Sequence, residues 1–203
     1  MENRDFLATK DGKCEIFKSI IHREIPTYPY RLYRFLTEVE DILLKEQNDQ
    51  IRLQKICPLV RLLLDTSPWL QTFYLEPSPD TGWSVLTLYE EPDFDLTVQI
   101  VAWLPGNISP IHNHATWGIV ALLSGMEKNT FWKRNNDRKF PDKIAQVGSQ
   151  ILEPGDIISL VPDAIHSVEP LGEEATITFN IYGETDFSQR FEFDTLTNTA
   201  KNF

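Results

Sequence analysis

Cysteine is almost absent from this sequence: Cys14 and Cys57 are the only two. They form no CxxC and no evenly spaced framework, which argues against a disulfide scaffold and predicts a reducing, intracellular compartment. Basic charge is also scarce, with 19 Lys and Arg against 30 Asp and Glu, a net charge of −11. A chain this acidic lacks the basic patches that attract nucleic acid or anionic membrane, so neither is an expected partner. No window reaches the roughly 20 apolar residues needed to span a bilayer. The opening residues MENRDFLATKDGK carry no apolar signal core, so a cytoplasmic rather than an exported protein is expected. There is no low-complexity tract and no repeat with a period of roughly 20–50 residues.

What remains is an ordinary globular composition, 41% apolar and 24% charged over 203 residues, enough for one domain with a substantial core. Its two halves differ in texture. In YRLYRFLTEVEDILLKE, Leu32, Phe35, Leu36, Val39 and Leu43 recur at helical spacing. A second helical face carries Ile56, Leu59, Val60, Leu63 and Leu64 and stops before Thr66-Ser67-Pro68. From about residue 83 onward, WSVLTLY, LTVQIVAWL, GIVALLSG, KNTFWKR, DIISLV and ATITFNIYG read as short strands separated by turn signals such as Pro105-Gly106-Asn107 and Glu153-Pro154-Gly155. Lys133, Arg134, Arg138 and Lys139 gather around an expected hairpin tip, a solvated turn rather than an anion site. Many short strands with no long helix between them predict a mainly β sandwich or barrel and disfavour a parallel βαβ fold. The expected organisation is a helical segment, residues 1–80, packed on a barrel, residues 81–203, as one folded unit.

Histidine is the residue whose placement carries chemistry. Of His22, His112, His114 and His166, the last three fall in the β half, two of them as His112-Asn113-His114. On a strand, residues i and i+2 share a face, so the two imidazoles would project into one space. A metal ion needs such convergence, with nitrogens about 2.0–2.2 Å from one point. His166 follows the Gly155-Asp156 turn and the strand IISLV, which in a sandwich would lie across from the pair. His22, in a polar stretch, reads as a surface residue. Trp83 and Trp103 read as core; Trp117, beside Gly118, could either wall a metal pocket or fill the core.

PGNISPIHNHATWGIVALLSG resembles the first cupin motif, a glycine, five residues, then HxH. GDIISLVPDAIH resembles the second, a glycine leading to a histidine eleven positions on. More narrowly, SPIHNHATWGIVALLSG is similar to the thiol dioxygenases, the branch of cysteine dioxygenase and bacterial 3-mercaptopropionate dioxygenase, in which helices precede the barrel. The resemblance implies a double-stranded β-helix, or jelly-roll barrel, with N-terminal α-helices. It also implies Fe(II) on His112, His114 and His166, acting with dioxygen on a small thiol to give its sulfinate. Most cupins add a glutamate four residues after the second histidine; here that position is Gly118. Three neutral ligands leave a divalent ion its full charge, which favours an anionic ligand. Imidazole suits Fe, Zn, Cu and Ni alike, so the ligands do not choose the metal, and Zn, Ni or Mn is open as the bound ion.

In the same family, a Ser–His–Tyr row lies near the C-terminus; the matching positions here are Thr178, Asn180 and Tyr182. Asn180 departs from the pattern, since it cannot titrate near neutral pH. The early strand stretch WSVLTLYEEPDFDLTV lacks the carboxylate-clamping arginine of the cysteine enzymes, with Leu86 near its place. Arg190 is the alternative clamp, its rival reading being a surface arginine paired with Glu192 or Asp194. Cys14 and Cys57 are expected outside the barrel, which gives no support to a Cys–Tyr crosslink. Two other functions stay open: a cupin enzyme of different chemistry, such as an oxidase of a small organic acid, and a metal-containing small-molecule-binding cupin without catalysis. Monomer and homodimer are both compatible with the sequence.

Overall fold

The computed structural model describes residues 3–17, 28–135 and 137–202; His22 lies outside them. The chain opens on a hairpin, β1 (Asp5–Ala8) and β2 (Cys14–Ile16), and continues into α1 (Leu32–Lys45), α2 (Asp49–Thr66) and the short α3 (Pro68–Gln71). Ten strands follow: β3 (Trp83–Glu91), β4 (Phe94–Trp103), β5 (Ile111–Asn113), β6 (Gly118–Ser124), β7 (Met126–Arg134), β8 (Ile144–Leu152), β9 (Ile157–Leu160), β10 (Ile165–Leu171), β11 (Thr176–Gly183) and β12 (Phe191–Asp194), with β13 (Thr199–Asn202) closing the chain as an eleventh.

The strands form two sheets, ordered β2-β1-β9-β6-β11-β4-β3 and β13-β12-β5-β10-β7-β8. From β4 onward the chain keeps crossing between them: β5 lies in the second sheet, β6 in the first, β7 and β8 in the second, β9 in the first, β10 in the second and β11 in the first. Such alternation defines a double-stranded β-helix, the cupin jelly roll, in agreement with the mainly β expectation.

Within the seven-stranded sheet β6 is covered on both faces, which explains its continuous run GIVALLS. Its outer face packs under the helices: Val98, Ile100 and Ala102 of β4, Ile119 and Ala121 of β6, and Ile177, Phe179 and Ile181 of β11 join Phe35, Val39, Leu53, Ile56, Leu59 and Leu63. Between the sheets, Val120, Leu122, Phe131, Leu152, Ile158 and Leu160 close one end of the barrel. The other end is left to polar side chains, and the cavity forms there.

Local chemistry sets the helices. Asn48 caps α2, its Oδ1 accepting from the Ile51 N–H at 3.1 Å, and Asp49 supplies negative charge to the first turn. On the far side of α2, Arg61 pairs with Asp5 of β1. The basic cluster flanks a true hairpin, since β7 and β8 pair antiparallel and Arg134 meets Asp142 at 2.6 Å.

Two expectations change. The N-terminal segment is not purely helical: β1 lies parallel to β9 and extends the sheet. A four-residue strand is too short to show a period, and its pairing partner is about 150 residues away. Cys14 accordingly sits on β2 within that sheet rather than outside it. Both thiols are free, and burial pushes each up to about 12. No helix among the described residues is long and apolar enough to cross a membrane.

Phe179 joins the two layers, packed edge-to-face on Phe35 at 6.0 Å, both rings fully buried. Phe179→Ala should cost about 3–5 kcal/mol. The expected reading is a lower urea midpoint with an unchanged slope.

Candidate metal centre

The cavity lies between the open ends of the two sheets and measures about 620 Å³. Strand alternation decides what faces it. On β11, Ile177, Phe179 and Ile181 enter the helix-side core, so Thr178, Asn180 and Tyr182 must face inward. On β4 the same rule sends Thr97, Gln99, Val101 and Trp103 into the cavity.

His112, His114 and His166 line this space, with one ring nitrogen from each lying within 4.8 Å of the others. The strand IISL, β9, does lie in the sheet opposite the pair, but His166 itself does not. It lies on β10, the neighbour of β5 in the same sheet, directly opposite His112 in register. His114 stands just past the end of β5, where Ala115 takes a left-handed backbone, φ 53°, a conformation that costs a residue with a Cβ roughly 1–2 kcal/mol. His112 donates its Nδ1–H to the Pro110 carbonyl at 2.9 Å, and His166 donates Nδ1–H to Asn129 Oδ1 at 2.8 Å. In both neutral rings the proton is thus on Nδ1 and Nε2 carries none. His114 Nε2 and His166 Nε2 face each other at 3.0 Å, the spacing of two nitrogens bound about 2.1 Å from one ion at a right angle.

Desolvation is the main force lowering all three histidines, His112 to about 4 and the other two well below their usual range. Mutual repulsion and the Arg190 charge add to it at His114. The three rings are therefore uncharged at neutral pH, as metal ligands must be. A divalent ion fits this donor set.

Gly118 explains the missing carboxylate. A Cβ at this position would lie 2.7 Å from the Tyr182 ring, so that ring occupies the room a glutamate would need. Tyr182 stacks on His114 with centroids 4.9 Å apart and planes 23° from parallel. Its phenol donates to Asn180 Oδ1 at 3.1 Å, and Asn180 Nδ2 donates to Thr178 Oγ1 at 2.8 Å. The row expected from the sequence is thus continuous. Burial, and then the nearby Glu127 charge, hold the Tyr182 phenol protonated.

Arg190 lines the same cavity. Asn113, the middle residue of HxH, points the other way and brackets it: Asn113 Nδ2 donates to the Gln189 carbonyl at 2.9 Å, and the Phe191 N–H donates to Asn113 Oδ1 at 2.8 Å. Glu192 meets Lys201 at 3.4 Å, and Asp194 accepts the Leu196 N–H at 2.7 Å.

Other expectations are corrected. Trp117 does not wall the cavity; it is 2% exposed, packed in the helix-side core, where Gly183 makes room for its indole. Trp83 and Trp103 are not core. They pair in register on the β3–β4 edge hairpin and line the cavity, their rings 6.1 Å apart, with Trp83 43% exposed where the cavity meets solvent. Leu86, on the same hairpin, does not line the cavity.

Glu127 and Asn129 of β7 escaped sequence reasoning. Glu127 is 3% exposed, lines the cavity, and is pushed up to about 7 by burial, with the Asn129 hydrogen bond pulling back. The signal was present: Glu127, Asn129 and Phe131 alternate inward on one strand, putting two polar groups where apolar ones are usual.

Fold and site together define a class, a cupin-type double-stranded β-helix with a three-histidine group in its cavity. No family model matches the chain. Similar solved structures include a recombinant oxalate oxidase in complex with glycolate, at 14% identity and TM-score 0.41 over 56% of each chain. Another is an uncharacterized conserved protein with a double-stranded β-helix domain from Klebsiella pneumoniae, at 19% and 0.43 over 56% of this chain and 80% of that one. A third is a cupin superfamily protein from Desulfitobacterium hafniense, at 12% and 0.41 over 58% and 88%. The match spans only about half the oxalate oxidase. At these scores nothing about activity passes from those proteins to this chain.

The shifts fix a pH dependence. Each histidine is depressed from about 6.5, so its contribution to stability is present above that value and lost as pH falls through the folded pKa. Glu127, raised from 4.5 to about 7, has the opposite sign: its contribution is present below 4.5 and lost as pH rises toward 7. Three histidines outweigh one carboxyl. With chelator present, the thermal midpoint should fall from pH 7 to pH 5, and His114→Gln should flatten that fall.

Proposed function

We propose that this protein is a mononuclear non-haem iron dioxygenase that oxidises a small thiol, cysteine-like or a mercaptocarboxylate, to its sulfinate. The observation that carries this reading is the three-histidine group, with the place of a fourth, carboxylate ligand filled by the Tyr182 ring. A donor set with no charge of its own favours an anionic substrate group at the metal. Fe(II) would be held by His112, His114 and His166, and when bound would supply Lewis acidity and the redox chemistry of dioxygen; Zn, Ni or Mn would suit the same ligands.

The chain's own groups divide the remaining work. Tyr182, held by Asn180 and Thr178, presents a protonated phenol beside His114 and orients what binds there. Arg190 offers a guanidinium to a substrate carboxylate, with Asn113 holding the backbone on both sides of it. Trp83, Trp103, Val85 and Val101 give the cavity an apolar side. A second reading, an oxidase of a small organic acid on the same ligands, is favoured by one observation: the buried Glu127 carboxyl supplies a group able to exchange a proton inside the cavity.

Oxygen uptake by protein loaded anaerobically with Fe(II) tests both. One iron per chain, and uptake matched by sulfinate with cysteine, cysteamine or 3-mercaptopropionate, is the expected result. Arg190→Gln should raise KM about tenfold or more for the carboxylate-bearing thiols and leave cysteamine unaffected. A fully loaded protein inert to all three thiols but consuming oxygen with glycolate would overturn the thiol reading in favour of the second.

A further inference from the structure

Two hydrogen bonds lead inward from His166 to a buried carboxylate. His166 and Asn129 are diagonal neighbours across the β10–β7 pair, in which His166 opposes Phe131 and Val168 opposes Asn129. His166 donates Nδ1–H to Asn129 Oδ1 at 2.8 Å, and Asn129 donates Nδ2–H to Glu127 Oε1 at 2.9 Å. All three side chains are buried.

The direction of this relay has a chemical consequence. A primary amide carries an acceptor on one side and a donor on the other. Turned over, Asn129 would present its NH₂ to His166 Nδ1, and the single proton of the neutral ring would have to move to Nε2. Nε2 is the atom that faces His114 Nε2 at 3.0 Å, and a protonated nitrogen cannot bind a metal. Above about pH 7, where the Glu127 carboxyl is ionised, it accepts and never donates, so it then fits only the amide orientation that shows it the NH₂ group.

We propose that Glu127, acting through Asn129, is a positioning residue that fixes the tautomer of His166 and keeps its Nε2 free of a proton. Its consequence for metal binding rests on the metal-centre reading above; the tautomer itself does not. Orienting partners of this kind typically change metal affinity about 10–100-fold when removed.

Nitrogen-15 correlation spectra of the metal-free protein at about pH 8 read the tautomer of each histidine directly. In the native chain, His166 should carry its proton on Nδ1. Glu127→Gln keeps the shape and relieves a buried charge, so it should fold. Because a glutamine side chain can show Asn129 either its oxygen or its NH₂, protonation at Nε2 should become detectable, and Fe(II) or Zn(II) affinity, measured by chelator competition, should drop about tenfold. Combining Glu127→Gln with Asn129→Asp restores the polarity. The new carboxylate would accept both from His166 Nδ1–H and from the new amide, so the native tautomer should return. Recovery by that pair is not expected from a merely structural role. A folded Glu127→Gln protein with His166 unchanged, or a tautomer shift that the double variant fails to reverse, would overturn the proposal. A reversible tautomer shift with no change in metal affinity would leave the lock standing and sink the metal-centre reading instead.

Discussion

The side chains that face the cavity from β4 and β11 are held there by the opposite face of their own strands. Ile177, Phe179 and Ile181 are buried under the helices, so Thr178, Asn180 and Tyr182 have no other direction in which to point. A slip of one residue in the pairing of β11 with β4 and β6 would put the polar row into the apolar core. The apolar face is therefore what makes the polar face accurate. The helices, none of whose described residues lines the cavity, act on it through the packing of that sheet.

Desolvation is the second constraint. It keeps three mutually close imidazoles uncharged and holds the Tyr182 phenol protonated. It also makes a buried carboxyl at Glu127 costly unless partnered, and Asn129 supplies that partner. The same burial that raises the cost of charge in the cavity strengthens the hydrogen bonds that order it. Gly118 adds a steric decision: without a side chain there, the tyrosine ring lies against His114, and the ligand set stays neutral.

Much of this was legible in one dimension. HxH carries a local signal, because a strand of period two declares which residues share a face, while the spaced second histidine and the Thr178-Asn180-Tyr182 row come from the family resemblance. Other features were not. The partner of His112 across the ladder is His166, a relation set by register rather than by spacing. The core role expected of Trp83 and Trp103 fails because they lie on an edge hairpin where the cavity meets solvent, while Trp117, a neighbour of the motif, is buried on the far side of the sheet. Composition cannot distinguish those three tryptophans, since each lies in an equally apolar run.

The sequence by itself determined which groups are able to do chemistry, three histidines without a carboxylate and an alternating Thr-Asn-Tyr row, because residue type and strand period are local properties. Only the tertiary structure decided which groups share a volume. It set Arg190 into the histidine cavity with Asn113 holding the backbone on either side, linked Glu127 to His166 through Asn129, and paired β1 with β9. These contacts join segments tens to well over a hundred residues apart, and such distances are closed by sheet order and core packing, which no local pattern encodes.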